Sequence, residues 1–244
     1  MDLPLTSRTL ALAAVSCLAM ALSGCSESPS DAAFNAKVRA YLLAHPEVLR
    51  EAMTKLEEND RAATAKAALA AIKANRAAIE RDPRDFVANP KGTITVTEFY
   101  DYNCGYCKTI SPQVVALIRE NPDVRFVFKE FHIFQEPSSL RGARAALLSR
   151  PSGRYLQVHQ QMMAQKPLQP AQVDAILRAN GIDPGPLDNP AAMVAIDRQL
   201  ADIQALAAKL HLDGTPGFII GDTLVPGADM DAVKAAIAQA RARR

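Results

Sequence analysis

The chain has 244 residues, 49% of them apolar, and sets 28 basic side chains against 26 acidic ones for a formal charge of +2. That near balance provides no basic stripe for a nucleic acid or an anionic membrane surface. Four cysteines in a chain of this size leave folding to a hydrophobic core rather than to a disulfide framework.

Arg8 precedes an apolar stretch from Leu10 to Leu22, followed by Ser23, Gly24 and Cys25. The stretch is too short to span a bilayer comfortably and reads as a signal segment over residues 1–24. Leu22-Ser23-Gly24-Cys25 resembles the bacterial lipobox, in which the cysteine is acylated and becomes the new N-terminus. An ordinary cleaved signal is the alternative. The lipoprotein is preferred because it gives Cys25 a use, and it predicts a lipid-anchored protein of the periplasm or cell envelope. Cys17 leaves with the signal, so Cys104 and Cys107 alone remain for thiol chemistry.

Residues 25–31 read as a polar linker, and residues 32–84 as a helical arm rich in alanine, lysine, arginine and glutamate. Pro46 fits the first turn of a helix, so a short helix should end near Ala44 and a long one begin at Pro46. Leu42, Leu49, Leu56, Ala63, Ala70 and Ala77 recur at heptad spacing beside a mixed companion row. That seam is too thin for a lone coiled coil but suits self-association, with a plain membrane spacer as the alternative.

Asn89-Pro90-Lys91-Gly92 marks a turn, and Thr93 to Tyr100 is β-branched and aromatic, as a strand should be. Cys104-Gly105-Tyr106-Cys107 follows at once, and from Lys108 onward Ile110, Val114, Leu117 and Ile118 stand at helical spacing. The cysteine pair therefore sits where a strand hands over to a helix. There the first thiol faces unsatisfied N–H groups and the positive end of the helix dipole, which favour the thiolate that attacks disulfides. Two cysteines at this spacing also make half a zinc knuckle, but His132, His159 and His211 stand alone and no second pair completes it, so no metal is assigned.

Val124 to Phe131 reads as a second strand, and a β-α-β unit around a CxxC opens a thioredoxin fold. A helical stretch over about 138–210 then interrupts that fold. Phe218-Ile219-Ile220, Gly221-Asp222 and Thr223-Leu224-Val225 make a hairpin, and Met230 to Ala240 a closing helix. The expected class is α/β: a thioredoxin fold with an inserted helical domain over 85–244, preceded by the helical arm.

Phe99-Tyr100-Asp101-Tyr102-Asn103-Cys104-Gly105-Tyr106-Cys107-Lys108 and Gly214-Thr215-Pro216-Gly217-Phe218 resemble the DsbA family of exported thiol–disulfide oxidoreductases, particularly its ScsC and Com1 types with a helical N-terminal arm. The resemblance implies an exposed nucleophile at Cys104, a more buried resolving thiol at Cys107, and a cis-proline at Pro216 whose loop offers backbone hydrogen bonds to an extended substrate. Thr215 matches the residue before that proline in isomerase-like members. Glu98, inward by alternation with Val96 and Tyr100, matches a buried acid that relays the Cys107 proton, with an acid exposed on an edge strand as the alternative. Tyr100, Tyr102 and above all Tyr106 are candidates for the substrate groove, with packing as the alternative. The Gly-Tyr dipeptide departs from the Pro-His of the best-known oxidase, so thiolate stabilisation rests more on backbone amides.

The resemblance also implies protein thiols and disulfides as partners, no cofactor, and a membrane redox partner. That partner would be of the DsbB type for an oxidase or the DsbD type for an isomerase or reductase. The arm and Thr215 lean toward the isomerase, and the plain family resemblance toward the oxidase. A Cu(I)-binding lipoprotein, with Cys104 and Cys107 as soft ligands, is the reading from another class.

Overall fold

A computed structural model describes residues 29–134 and 136–243. The signal segment, Cys25 and the start of the linker lie outside the described residues. The chain divides within its second helix into two compact units, residues 1–61 and 62–244.

In the first unit α1 spans Pro29–Ala44, and α2, Pro46–Ala74, begins on the far side of His45 and continues into the second unit. Helix therefore starts at Pro29, earlier than the expected end of the linker, because proline suits a first helical turn. Apolar side chains stay exposed along this stretch: Phe34, Tyr41, Leu43, Met53 and Leu56 are all more than half exposed.

The second unit opens with the end of α2 and α3, Arg76–Glu80. Ile72 and Ile79 are 2% and 1% exposed and belong to the core, each contributing about 1.5–3 kcal/mol by burial. Next come β1, Phe86–Ala88; β2, Ile94–Tyr100; α4, Gly105–Glu120; and β3, Val124–Glu130. The turn into β2 is tight: a side chain at Gly92 would stand 2.5 Å from Arg125 N, so only glycine fits. The inserted helices are α5, Pro137–Ser149; α6, Tyr155–Met163; α7, Pro170–Ala179; and α8, Pro190–Lys209. The chain returns through β4, Gly217–Ile220, and β5, Thr223–Pro226, to α9, Met230–Ala242.

The sheet runs β1-β3-β2-β4-β5. β2 and β3 are parallel, with Glu98 opposite Phe128 and Tyr100 opposite Glu130, while the outer pairings are antiparallel. All seven residues of β2 and all seven of β3 are buried. The alternating residues of β3 divide between two covered faces rather than between core and water. One face carries Val96, Tyr100, Phe126 and Phe128 against α4 and α9. The other carries Phe99 and Ile219 against α3 and α8, with Ile79, Ile203 and Leu206. Among the described residues no helix is long and apolar enough to cross a membrane.

Candidate functional site

β2 ends at Tyr100 and α4 begins at Gly105, so Cys104 is the N-cap of α4, with extended backbone (φ −69°, ψ 115°). Its Sγ accepts the Cys107 N–H at 3.1 Å, the position a capping side chain occupies. The thiol is pulled down to about 6, first by its hydrogen bond with the Cys107 thiol and further by the backbone N–H groups of Cys107 and Tyr106, against the cost of burial. Burial, followed by the hydrogen bond to Cys104 and its charge, holds the Cys107 thiol protonated far above its ordinary value. The two sulfurs thus divide the work within one turn: one ionises readily, the other keeps its proton.

Cys104 is not the exposed thiol that the resemblance implied. It is 2% exposed, hardly more than Cys107 at 1%. The reason is the loop before β4, whose Thr215 carbonyl lies 3.3 Å from Cys104 Sγ. The Thr215–Pro216 peptide is cis, and Pro216 is itself buried. Its carbonyl already accepts the Gly227 N–H at 2.8 Å. What the loop presents beside the sulfur is therefore Thr215, whose Oγ1 is buried with no hydrogen-bond partner among the described residues.

Glu98 lies on β2, 4% exposed, on the face shared with Val96 and Tyr100. Its Oε2 has no hydrogen-bond partner among the described residues. Burial pushes its carboxyl up to about 8, and the Cys104 charge acts in the same direction. The Glu98 charge in turn raises Cys107. An acid that holds its proton near neutrality is thereby coupled to both sulfurs.

The three tyrosines separate. Tyr106, between the cysteines, is 72% exposed and free to meet a partner. Tyr100 and Tyr102 are 0% and 1% exposed and line no groove. Their hydroxyls are tied inward: Tyr100 to Tyr155 at 2.7 Å and to Tyr102 at 3.1 Å, and Tyr102 to His159 Nδ1 at 3.0 Å. Tyr155 also donates to Glu130 Oε1. His159, to which the sequence assigned no role, is buried in this cluster and held neutral, its pKa lowered to about 3 chiefly by burial.

Sequence reasoning missed the loop that seats the cysteine helix. Asp101, 1% exposed, accepts the Asn103 N–H at 2.7 Å and the Ser139 hydroxyl at 2.9 Å on one oxygen, and the Phe134 N–H at 3.1 Å on the other. Asn103 donates to Ser138 and accepts the Leu168 N–H. These bonds tie the start of α4 to the inserted helices. The Asp-Tyr-Asn run before Cys104 was the available signal, since both end residues favour local side-chain to backbone bonds. Among the described residues no group of three or more His, Cys, Asp or Glu side chains is placed to hold a metal ion.

The DSBA-like thioredoxin domain model matches residues 95–238, and the N-terminal domain model of the copper resistance protein ScsC matches residues 31–63. A thioredoxin-like oxidoreductase from Silicibacter pomeroyi is 35% identical in sequence, with a TM-score of 0.63 over 68% of this chain and 98% of that one. A periplasmic thioredoxin-like protein from Salmonella enterica serovar Typhimurium is 28% identical, with a TM-score of 0.61 over 67% of this chain and 94% of that one. A curated protein named Na(+)/H(+) antiporter NhaA 3, from Salinispora tropica, is 28% identical over 175 residues, and the chain spans about a quarter of its length. With its cysteine helix, its Thr215–Pro216 loop and its helical insertion all inside the matched residues, the chain belongs to the DSBA-like thioredoxin domain family.

Proposed function

We propose that this protein is an exported thiol–disulfide oxidoreductase that exchanges disulfides with envelope proteins through Cys104 and Cys107. The observation that carries the reading is the seat of Cys104 Sγ, 3.1 Å from the Cys107 N–H and 3.3 Å from the Thr215 carbonyl, with its thiol drawn down to about 6. In the oxidising direction a substrate thiolate attacks Cys104 of the oxidised pair, the Cys104–Cys107 bond breaks, and Cys107 leaves as a thiolate that takes the Glu98 proton. A second substrate thiolate then attacks the substrate's own sulfur in the mixed disulfide and releases Cys104. Two electrons pass from substrate to protein. In the reverse direction the Cys104 thiolate attacks a substrate disulfide, and Cys107, deprotonated by Glu98, resolves the mixed disulfide. Tyr106 and Thr215 flank the path by which an extended substrate reaches the sulfur.

Export and the lipid anchor rest on the apolar segment before Cys25 and on the Leu22-Ser23-Gly24-Cys25 sequence. The periplasmic relative supports the same compartment.

A second reading, an oligomeric isomerase or reductase kept reduced by a DsbD-like donor, is favoured by the apolar side chains exposed along α1 and α2. A helix that leaves Phe34, Tyr41, Met53 and Leu56 in water gains by covering them with a second copy. Deleting residues up to Arg61, and no further because Ile72 and Ile79 are core, should reduce an oligomer to a monomer in sedimentation. An unchanged mass per particle relative to chain mass would end that reading.

The deciding experiment is the Cys104–Cys107 reduction potential by glutathione equilibration, joined to thiol trapping in the native envelope. A potential near about −120 mV with mostly oxidised protein means a disulfide donor acting with a DsbB-type partner, and a mostly reduced pair means the isomerase or reductase. Cys104→Ser should abolish turnover of a dithiol substrate. Stoichiometric copper on the native protein with no exchange activity would transfer the pair to Cu(I) binding instead.

A further inference from the structure

On the side of α4 turned toward α6 lies a groove of about 540 Å³. Pro112 and Val115 of α4 and Met163 of α6 give it an apolar wall, Gln160 adds an amide, and Lys108 and Lys166 supply its charges. Among the described residues no acidic side chain lines it.

Lys108 is 6% exposed, an unusual burial for a lysine with no ion-pair partner among the described residues. Among the described residues its ammonium makes one hydrogen bond, a long one of 3.3 Å to the Met162 carbonyl, which leaves two of its three donors unused there. The charged and titratable groups around it are few. Asp101, before α4, attracts it, but both Asp101 oxygens are already engaged by Asn103, Ser139 and Phe134. Cys104 and Cys107 attract it when ionised. His159 of α6 is neutral, and Lys166 repels it. Burial above all, joined by that repulsion, lowers Lys108 to about 8.

Two cations held over one apolar groove raise the free energy of the empty protein, and an anion between them lowers it. A monoanion suits the place better than a dianion, because each added charge must also be desolvated against the Pro112, Val115 and Met163 wall. We propose that this groove binds a small organic carboxylate with an apolar body, its carboxylate held by Lys108 and Lys166 and its body laid on Val115 and Met163. The inference is independent of the direction in which the cysteine pair works.

The test uses 4-phenylbutyrate as probe and 4-phenylbutanol as its uncharged counterpart, each titrated into the full chain by calorimetry and by methyl NMR. The carboxylate should bind saturably and shift the Val115 and Met163 signals. The alcohol should bind at least about tenfold more weakly, the loss expected when a charge-assisted contact is removed. Lys166→Gln, a change at an exposed rim position, should weaken the carboxylate several-fold, and Lys108→Met should abolish its binding. Affinity should fall as pH rises through about 8, where Lys108 loses its charge. Equal affinity for acid and alcohol, wild-type binding by Lys166→Gln, or no saturable binding of the carboxylate would each overturn the assignment.

Discussion

The two faces of the central sheet bury charge in opposite ways. On the face covered by α3 and α8, charges are matched: Lys129 is 1% exposed and donates to the Asp85 carboxylate and, at 2.7 Å, to the Ala78 carbonyl. Arg125 donates to the Glu80 carbonyl, and the Thr97 hydroxyl donates to the Ile79 carbonyl at 3.2 Å. On the face covered by α4 and α9, Glu98 and Glu130 each leave Oε2 without a partner among the described residues. Burial pushes Glu98 up to about 8 and Glu130 up to about 7. Burial pushes Asp85 up as well, to about 6, but the Lys129 charge and hydrogen bond pull it back, and that pairing fixes where the elements sit. A buried acid with an unpartnered oxygen exchanges its proton near neutrality, and Glu98 is the one electrostatically coupled to the cysteines, which suits it to the proposed relay. Under the proposed function one face is architecture and the other carries the proton relay, although a single pair of strands supplies both.

The sharpest way to break this contrast is Lys129→Met. Leaving Asp85 buried and alone should cost about 3–5 kcal/mol in urea unfolding at neutral pH, and adding Asp85→Leu should recover most of it. A mild single variant would mean that the pair does not fix α3 against β3. On the reactive face, Glu98→Gln should slow resolution of the mixed disulfide by about 10²-fold while leaving the fold intact. The same variant has a signature in stability. Because the folded value of Glu98 is raised, the stability it contributes is fully present below its unfolded value near 4.5 and is lost as pH rises through about 8. Glu98→Gln should flatten that decline, which amounts to about 1.4 kcal/mol per pH unit within the window. Unchanged exchange kinetics would remove Glu98 from the mechanism.

Smaller still, Tyr155→Phe takes from Glu130 its close hydroxyl donor and should cost about 1–3 kcal/mol by chemical denaturation. At the bottom of the scale, Lys234→Ala breaks an exposed pair with Asp231 and should change stability by less than about 1 kcal/mol. If that surface change rivalled Tyr155→Phe, burial would not be what separates these groups.

The sequence made the cysteine junction plain because its signals are local: a β-branched run, then CxxC, then helical spacing, which the structure realises as β2, Cys104 and α4. The helices on either side of His45 followed from Pro46 in the same way. What escaped notice depends on distant residues. Phe86-Val87-Ala88 is too short to declare itself a strand and exists through pairing with Phe128, Val127 and Phe126. Asp85 meets Lys129 across 44 residues, and Tyr100 meets Tyr155 across 55, distances over which no periodicity carries. Burial on both faces also erased the alternation that separates a groove tyrosine from a core one, and so Tyr100 and Tyr102 could be taken for partners of Tyr106. The cover over Cys104 comes from a loop 111 residues further on, which the motif around the cysteine cannot reveal.

The outer strands of the sheet have a consequence of their own. β1 is three residues long, and β5 is four and ends in Pro226, which has no N–H to offer. A protein that handles extended, incompletely folded chains is surrounded by segments seeking a template for β-pairing. A long bare margin would turn each client into an added strand and a transient encounter into an aggregate. Under the proposed function, margins this short leave a client held by its sulfur and one loop, free to depart when the exchange is done.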